Sequence, residues 1–182
     1  MKLGKTLYVT GRKAWRSWLA KHHATEKEIW LVYYKKHSNK PRIPYNYAVE
    51  EALCYGWIDS TVKKIDEERT AQRFTPRREN SPLSEMNKER ARRLIRKGKM
   101  TRAGLAKIKD NLNDKFVIPN DILKELKQDK LVWKNFGKFS LAYKRIRIGF
   151  IEDARKRPEE FKKRMRYFIK MTGKNKQFGM VR

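Results

Sequence analysis

Ile29-Trp30-Leu31-Val32-Tyr33-Tyr34 is an unbroken run of β-branched and aromatic residues. It is too short for a typical helix and reads as a strand buried on both faces. Upstream, Trp15, Trp18, Leu19 and His22 recur at i, i+3, i+4 and i+7 after Thr10-Gly11, the spacing of a helix with one face in the core. Downstream, Lys40-Pro41-Arg42-Ile43-Pro44 is a connection, because proline lacks the amide that strand pairing needs. A second helix follows over about Tyr47–Gly56, with Asn46 as its cap and Val49, Ala52, Leu53 and Gly56 along one stripe. Thr61–Ile65 and Thr70–Thr75 then read as two strands around a charged tip at Asp66-Glu67-Glu68.

After Pro76 the period becomes helical. Ser84 caps a helix with Ala91, Leu94 and Ile95 inward and Gly98 as its stop; Thr101 caps the next, with Leu105, Ile108 and Leu112 inward. These two form a helical hairpin. Pro119 introduces a helix bearing Ile122, Leu123 and Leu126. Beyond Trp133 and Phe136, Ser140 opens a helix with Tyr143, Ile146, Phe150 and Ala154 inward, and Pro158 opens the last, with Phe161, Met165, Phe168 and Ile169 inward. The fold class is α+β: a small amino-terminal sheet with helices, then an all-helical portion. Residues 1–115 are expected to form the α+β core with the helical hairpin, and residues 116–182 a helical module packed on it.

The 182 residues hold 47 Lys+Arg against 20 Asp+Glu, a net charge of +27. Such a field collects polyanions and repels cations. The excess is +8, +5, +7 and +7 over residues 1–50, 51–100, 101–150 and 151–182, so no basic arm carries it, and the plain reading is cations on most solvated faces. Cys54 is the single cysteine, which excludes an intramolecular disulfide and a cysteine-based zinc site. His22, His23 and His37 lack acidic residues at ligand spacing, so no metal is expected. Neither Gly-x-Gly-x-x-Gly nor Gly-x-x-x-x-Gly-Lys is present, and no cofactor is expected. No stretch approaches the roughly 18 apolar residues of a membrane span, and no apolar run follows the positive start, so the chain reads as soluble and cytoplasmic.

One cluster points to binding. Arg69, Arg73 and Arg77 share parity, which on a strand means one face, and Arg78 follows. Guanidinium forks grip phosphate or carboxylate in two places. The alternative is a solvated strand face balanced by Glu67, Glu68 and Glu79. Trp57, followed by Ile58-Asp59-Ser60, lies where a helix ends and a strand begins, a position suited to lining a pocket. Cys54 sits in apolar Ala52-Leu53-Cys54-Tyr55-Gly56-Trp57 and reads as packed and inert.

Taken together, Trp15–Leu19, His23–Lys27 leading into Ile29–Val32, Glu51-Ala-Leu-Cys-Tyr-Gly-Trp-Ile-Asp-Ser60 and Arg73-Phe-Thr-Pro-Arg-Arg78 resemble the YdeI/OmpD-associated family, also called bacteriocin-protection proteins. Asn87, Leu94-Ile95 and Gly98–Gly104 are similar to that family's next block. Ile118-Pro119, Ser140–Tyr143 and Asn175–Gly179 resemble its carboxy-terminal helical module. The chain departs at Leu83, where the family more often carries tryptophan before a serine, so any pocket lined by that ring is altered here. It also departs at Glu160-Phe-Lys-Lys-Arg164, which is more basic than the usual pattern. The resemblance implies a role in envelope stress and resistance to bacteriocins or antimicrobial peptides, and brings no reaction or catalytic residues.

The expected function is therefore non-enzymatic binding of an anionic group where Trp57, Asp59, Arg73, Arg77, Arg78 and Asn87 meet in one recess. Two alternatives stand beside it: sequence-independent nucleic-acid binding, motivated by the charge, and an enzyme using Asp59, Glu51 or Cys54. The oligomeric state is left open.

Overall fold

A computed structural model of the chain describes residues 3–79, 81–113 and 115–179. It divides into two compact units: Met1–Pro82 with Arg90–Leu112, and Leu83–Glu89 with Asn113–Arg182.

The first unit is a four-stranded mixed sheet with helices. Its elements are β1 (Thr6–Tyr8), α1 (Arg12–His22), β2 (Ile29–Tyr34), α2 (Tyr45–Cys54), β3 (Trp57–Lys64) and β4 (Arg69–Pro76). Most of helix α3 (Glu85–Arg96) and all of the short helix α4 (Arg102–Ala106) complete it. Strand order is β1-β2-β4-β3, with β1 parallel to β2 and the other pairs antiparallel. β2 is therefore interior, as its unbroken apolar run requires.

Registers define two faces. Ile29 lies opposite Phe74, and both join Leu31, Tyr33 and Trp57 with Trp15, Leu19, Ala48 and Ala52 of α1 and α2 in one core. Trp15 is fully buried, lies edge-on to Phe74 at 5.4 Å and donates its indole N–H to the Ala48 carbonyl at 3.0 Å. The outer face carries Trp30 opposite Arg73, and Val32 opposite Ala71.

Three local expectations change. Residues Thr6–Tyr8, to which the sequence assigned no element, form edge strand β1. Helix α2 starts at Tyr45 with Pro44 as its cap residue, so Asn46 lies inside its first turn rather than capping it. Helix α4 ends after five residues, and Leu105 is exposed while Ile108 is buried. Thr101 does cap α4, accepting the Gly104 amide at 3.1 Å, and its own hydroxyl donates to the Cys54 carbonyl at 2.6 Å.

The second unit is helical: α5 (Asn120–Gln128), α6 (Lys130–Lys138), α7 (Leu141–Glu152) and α8 (Pro158–Gly173), with the first turn of α3. Ser140 caps α7 by accepting the Tyr143 amide at 3.2 Å, and Pro158 opens α8. Helix α6 is an addition to the elements expected from the sequence; Asp129 caps it, accepting from Leu131 and Val132 at 2.7 and 3.1 Å. The core gathers Ile122, Leu126, Phe136, Tyr143, Ile148, Met165 and Phe168. Phe150, expected inward, is 41% exposed. The Asn135 amide ties α6 to the end of α8, donating to the Thr172 and Gly173 carbonyls at 3.1 Å each. Among the described residues no helix is long and apolar enough to cross a membrane.

Candidate functional site

The residues expected to share a recess are dispersed. Trp57 is 1% exposed; its indole donates to the His23 carbonyl at 3.1 Å and meets Trp18 edge-on. It fills the core. Asp59 lies opposite Phe74, on the helix-covered face of the sheet, where it accepts from the Tyr45 hydroxyl at 2.7 Å and the Gln72 amide at 3.3 Å. Arg73 is one residue from Phe74 and so faces the other way, where Glu28 takes its Nε at 2.8 Å and its Nη2. That pair holds Glu28 below the usual carboxylate range. Arg69 is likewise paired, with Asp66. These two arginines are balanced, but by Glu28 and Asp66, whereas Glu67, Glu68 and Glu79 pair with Lys64, Lys40 and Lys107. Asn87 belongs to the other unit, in α3, where its amide N–H donates to the Ser84 hydroxyl at 3.4 Å.

Arg77 is different. The parity argument extends β4 one residue too far: the strand ends at Pro76, and the Arg77 side chain turns inward to 3% exposure. Its backbone N–H donates to the Gly56 carbonyl at 2.8 Å. Its Nη2 donates to the Pro82 carbonyl at 2.9 Å and to the Ser81 carbonyl and hydroxyl at 3.2 and 3.4 Å, while its buried Nε has no partner. Among the described residues no carboxylate pairs with it. Burial lowers its pKa, as it does for a cation moved out of water with no carboxylate beside it. Arg78, next in sequence, is exposed.

Arg12, Arg16, Glu50, Glu51 and Arg93 form a second cluster. Glu51, 1% exposed, accepts from Arg12 Nε and from Arg16 Nη1, the latter at 2.6 Å; Glu50 accepts from Arg12 Nη2 at 2.7 Å and from Arg93. Here each buried carboxylate is neutralised by two guanidinium groups, which holds α1, α2 and α3 together. Cys54 next to it is fully buried, and burial, then the Glu51 charge, pushes its thiol up to about 11. About one thiol in a thousand is ionised at pH 8. Native protein should therefore stay unreactive toward Ellman's reagent at that pH, with one thiol appearing on denaturation; rapid native reaction would contradict this burial.

Above the core, the Tyr33 hydroxyl is buried without a hydrogen-bond partner. Burial and then the neighbouring Tyr45 and Asp59 raise its pKa. The Tyr45 hydroxyl, on a side chain that is 42% exposed, is pushed up to about 12 by partial desolvation and then by its hydrogen bond to Asp59. Both stay protonated near neutrality, and Tyr45 donates to Asp59.

The second unit repeats the Arg77 pattern. Arg147 is 6% exposed, its Nε is buried without a partner, and burial lowers its pKa. Tyr143, Phe150 and Phe178 surround the guanidinium at 5.8, 5.4 and 4.9 Å. No carboxylate pairs with it among the described residues. The sequence signal was a basic residue four after Tyr143 and three before Phe150, on an apolar stripe. A cavity of about 270 Å³ in the same unit is bordered by Leu83, Glu85, Phe116, Arg145, Ile148 and Asp153. Its Leu83 is the position where the resemblance expects tryptophan. Among the described residues no group of three His, Cys, Asp or Glu could hold a metal ion.

A family described as Domain of unknown function (DUF8412) matches residues 7–107, more than half of the chain. Bacteriocin-protection, YdeI or OmpD-Associated matches residues 115–175. The chain belongs to the DUF8412 family and carries a YdeI/OmpD-associated module. That module contains Arg147 and most of the cavity lining, whereas Arg77 and the Glu51–Ser60 block that carried much of the resemblance lie in the DUF8412 region. No curated protein and no solved structure was found to match the chain.

Proposed function

We propose that this protein is a cytoplasmic, non-catalytic anion-binding member of its family, with Arg77 as the receptor group and Arg78 as its exposed companion. The observation that supports the reading is the buried Arg77 guanidinium, held by carbonyl and hydroxyl oxygens alone, with Nε unpaired. A buried cation without a counter-charge favours an arriving phosphate or carboxylate, and charge-assisted hydrogen bonds are the strong ones. Arg73 no longer belongs to the receptor, because Glu28 already occupies its fork. The bacteriocin-protection description of the model that residues 115–175 match suggests envelope stress as the setting in which such binding matters.

Calorimetric titration with inorganic phosphate at low ionic strength tests the proposal. Wild type should bind, and Arg77→Gln should weaken binding about tenfold or more, while Arg73→Gln leaves it unchanged. Circular dichroism checks that each variant is folded. Unchanged affinity in folded Arg77→Gln, or no binding by wild type, rejects the assignment.

A further inference from the structure

The last helix of the second unit has a face that the anion receptor does not use. On α8, Met165, Phe168 and Thr172 are buried, and Phe161 and Ile169 pack against the same core. Lys162, Lys163, Arg166, Lys170 and Lys174 are all exposed. At 100° per residue these five basic side chains fall within one arc, with Arg166 and Lys170 near its middle. Successive members of the 162, 166, 170, 174 series rise about 6 Å along the axis. Between Phe161 and Gly179 the chain holds seven basic residues and no acidic one. Arg164, outside the arc, is engaged by Glu160 and the Phe150 carbonyl. Lys162 shares Glu159 at 3.4 Å in an exposed pair, an interaction worth little. Arg166, Lys170 and Lys174 form no ion pair among the described residues.

An exposed aromatic ring accompanies the charge. Tyr167, at the edge of the arc, is 48% exposed and meets Phe178 edge-to-face at 4.8 Å.

We infer that the exposed face of α8 is a sequence-independent binding surface for single-stranded nucleic acid, its lysines and arginine following the phosphates and Tyr167 stacking on a base. Regularly spaced cations without intervening carboxylates suit a repeating anion better than a single one. An exposed ring beside them suits unpaired bases. A lipid surface fits less well: a membrane-binding amphipathic helix inserts its apolar face, and the apolar face of α8 is occupied by the unit's own core.

The test is anisotropy of a labelled 20-residue oligothymidylate with the full chain across a salt series. Log affinity should fall linearly with log salt. The triple variant Arg166→Gln, Lys170→Gln, Lys174→Gln should make that slope shallower by about 2, at roughly 0.7 for each phosphate that the variant leaves without a cation. Tyr167→Ala should weaken binding about tenfold. A control variant, Lys13→Gln, Lys21→Gln, Lys36→Gln, changes three exposed lysines of the first unit and should keep the wild-type slope. Equal effects of the two triple variants, tighter binding of a duplex of the same length, or displacement of the oligonucleotide by anionic phosphatidylserine vesicles would each overturn the assignment. Phosphate binding at Arg77 should be unaffected by the α8 variant, so either proposal can fail alone.

Discussion

Glu51→Ala should destabilise the first unit by about 3–5 kcal/mol, because it leaves two guanidinium groups facing an emptied, buried acceptor site. Glu51 is 1% exposed and binds Arg12 and Arg16 at once. Arg16 also donates to the Lys99 carbonyl at 2.9 Å, so the loss reaches from α1 through α2 to the segment after α3. Glu51→Gln keeps the shape and part of the hydrogen bonding and should cost less. Arg73→Gln breaks a pair whose side chains are each about a third exposed, and should cost no more than about 1 kcal/mol. Urea unfolding followed by tryptophan fluorescence measures all three, since Trp15, Trp18, Trp30 and Trp57 lie in this unit. If Glu51→Ala proved no worse than Arg73→Gln, the cluster would not be what holds these helices.

Gly104→Ala should cost about 3 kcal/mol, at the upper end for a single added methyl group. A Cβ at this position would stand 2.1 Å from the Cys54 carbonyl oxygen and 2.5 Å from its carbon. These are backbone atoms, which cannot swing aside as a side chain can. The same carbonyl already accepts the Thr101 amide at 3.2 Å and the Thr101 hydroxyl at 2.6 Å, which fixes α4 against the end of α2. Gly137→Ala is the matched comparison: a Cβ there meets nothing within 4 Å, and inside α6 it should be neutral or gain up to about 1 kcal/mol. Thermal unfolding of both variants reads the difference, and a Gly104→Ala protein as stable as wild type would refute the close approach.

Most of this fold is legible from periodicity and caps. The apolar run Ile29–Tyr34 has to be an interior strand, and Ser84, Thr101, Ser140 and Pro158 mark helix starts because each meets a specific need of a helix terminus. What escapes is structure whose cause lies elsewhere in the chain. β1 is three residues long with a single half-buried position, and only the free edge of β2 makes it a strand. Helix α6 exposes Leu131 and Trp133, which blurs its stripe, although Asp129 is a usable cap signal. For the candidate site, parity along Arg69, Arg73 and Arg77 holds only while the strand lasts, and it stops at Pro76. Trp57 stands at an element end, which suits a pocket wall and a core equally; an indole opposite Pro76 on the helix-covered face belongs to the core. Arg147 escapes because a basic residue on an apolar stripe looks like an irregularity in the pattern, whereas it is a buried charge.

Strand order has a consequence for synthesis. β4 lies between β2 and β3 yet is the last of the four strands to leave the ribosome. Until residue 76 has emerged, the nascent amino-terminal portion can hold only the parallel β1–β2 ribbon, with one side of β2 open and β3 unpaired. Translation must therefore run well past the tip at Asp66-Glu67-Glu68 before this sheet can close. A pause before that point would leave an apolar strand edge within reach of neighbouring chains.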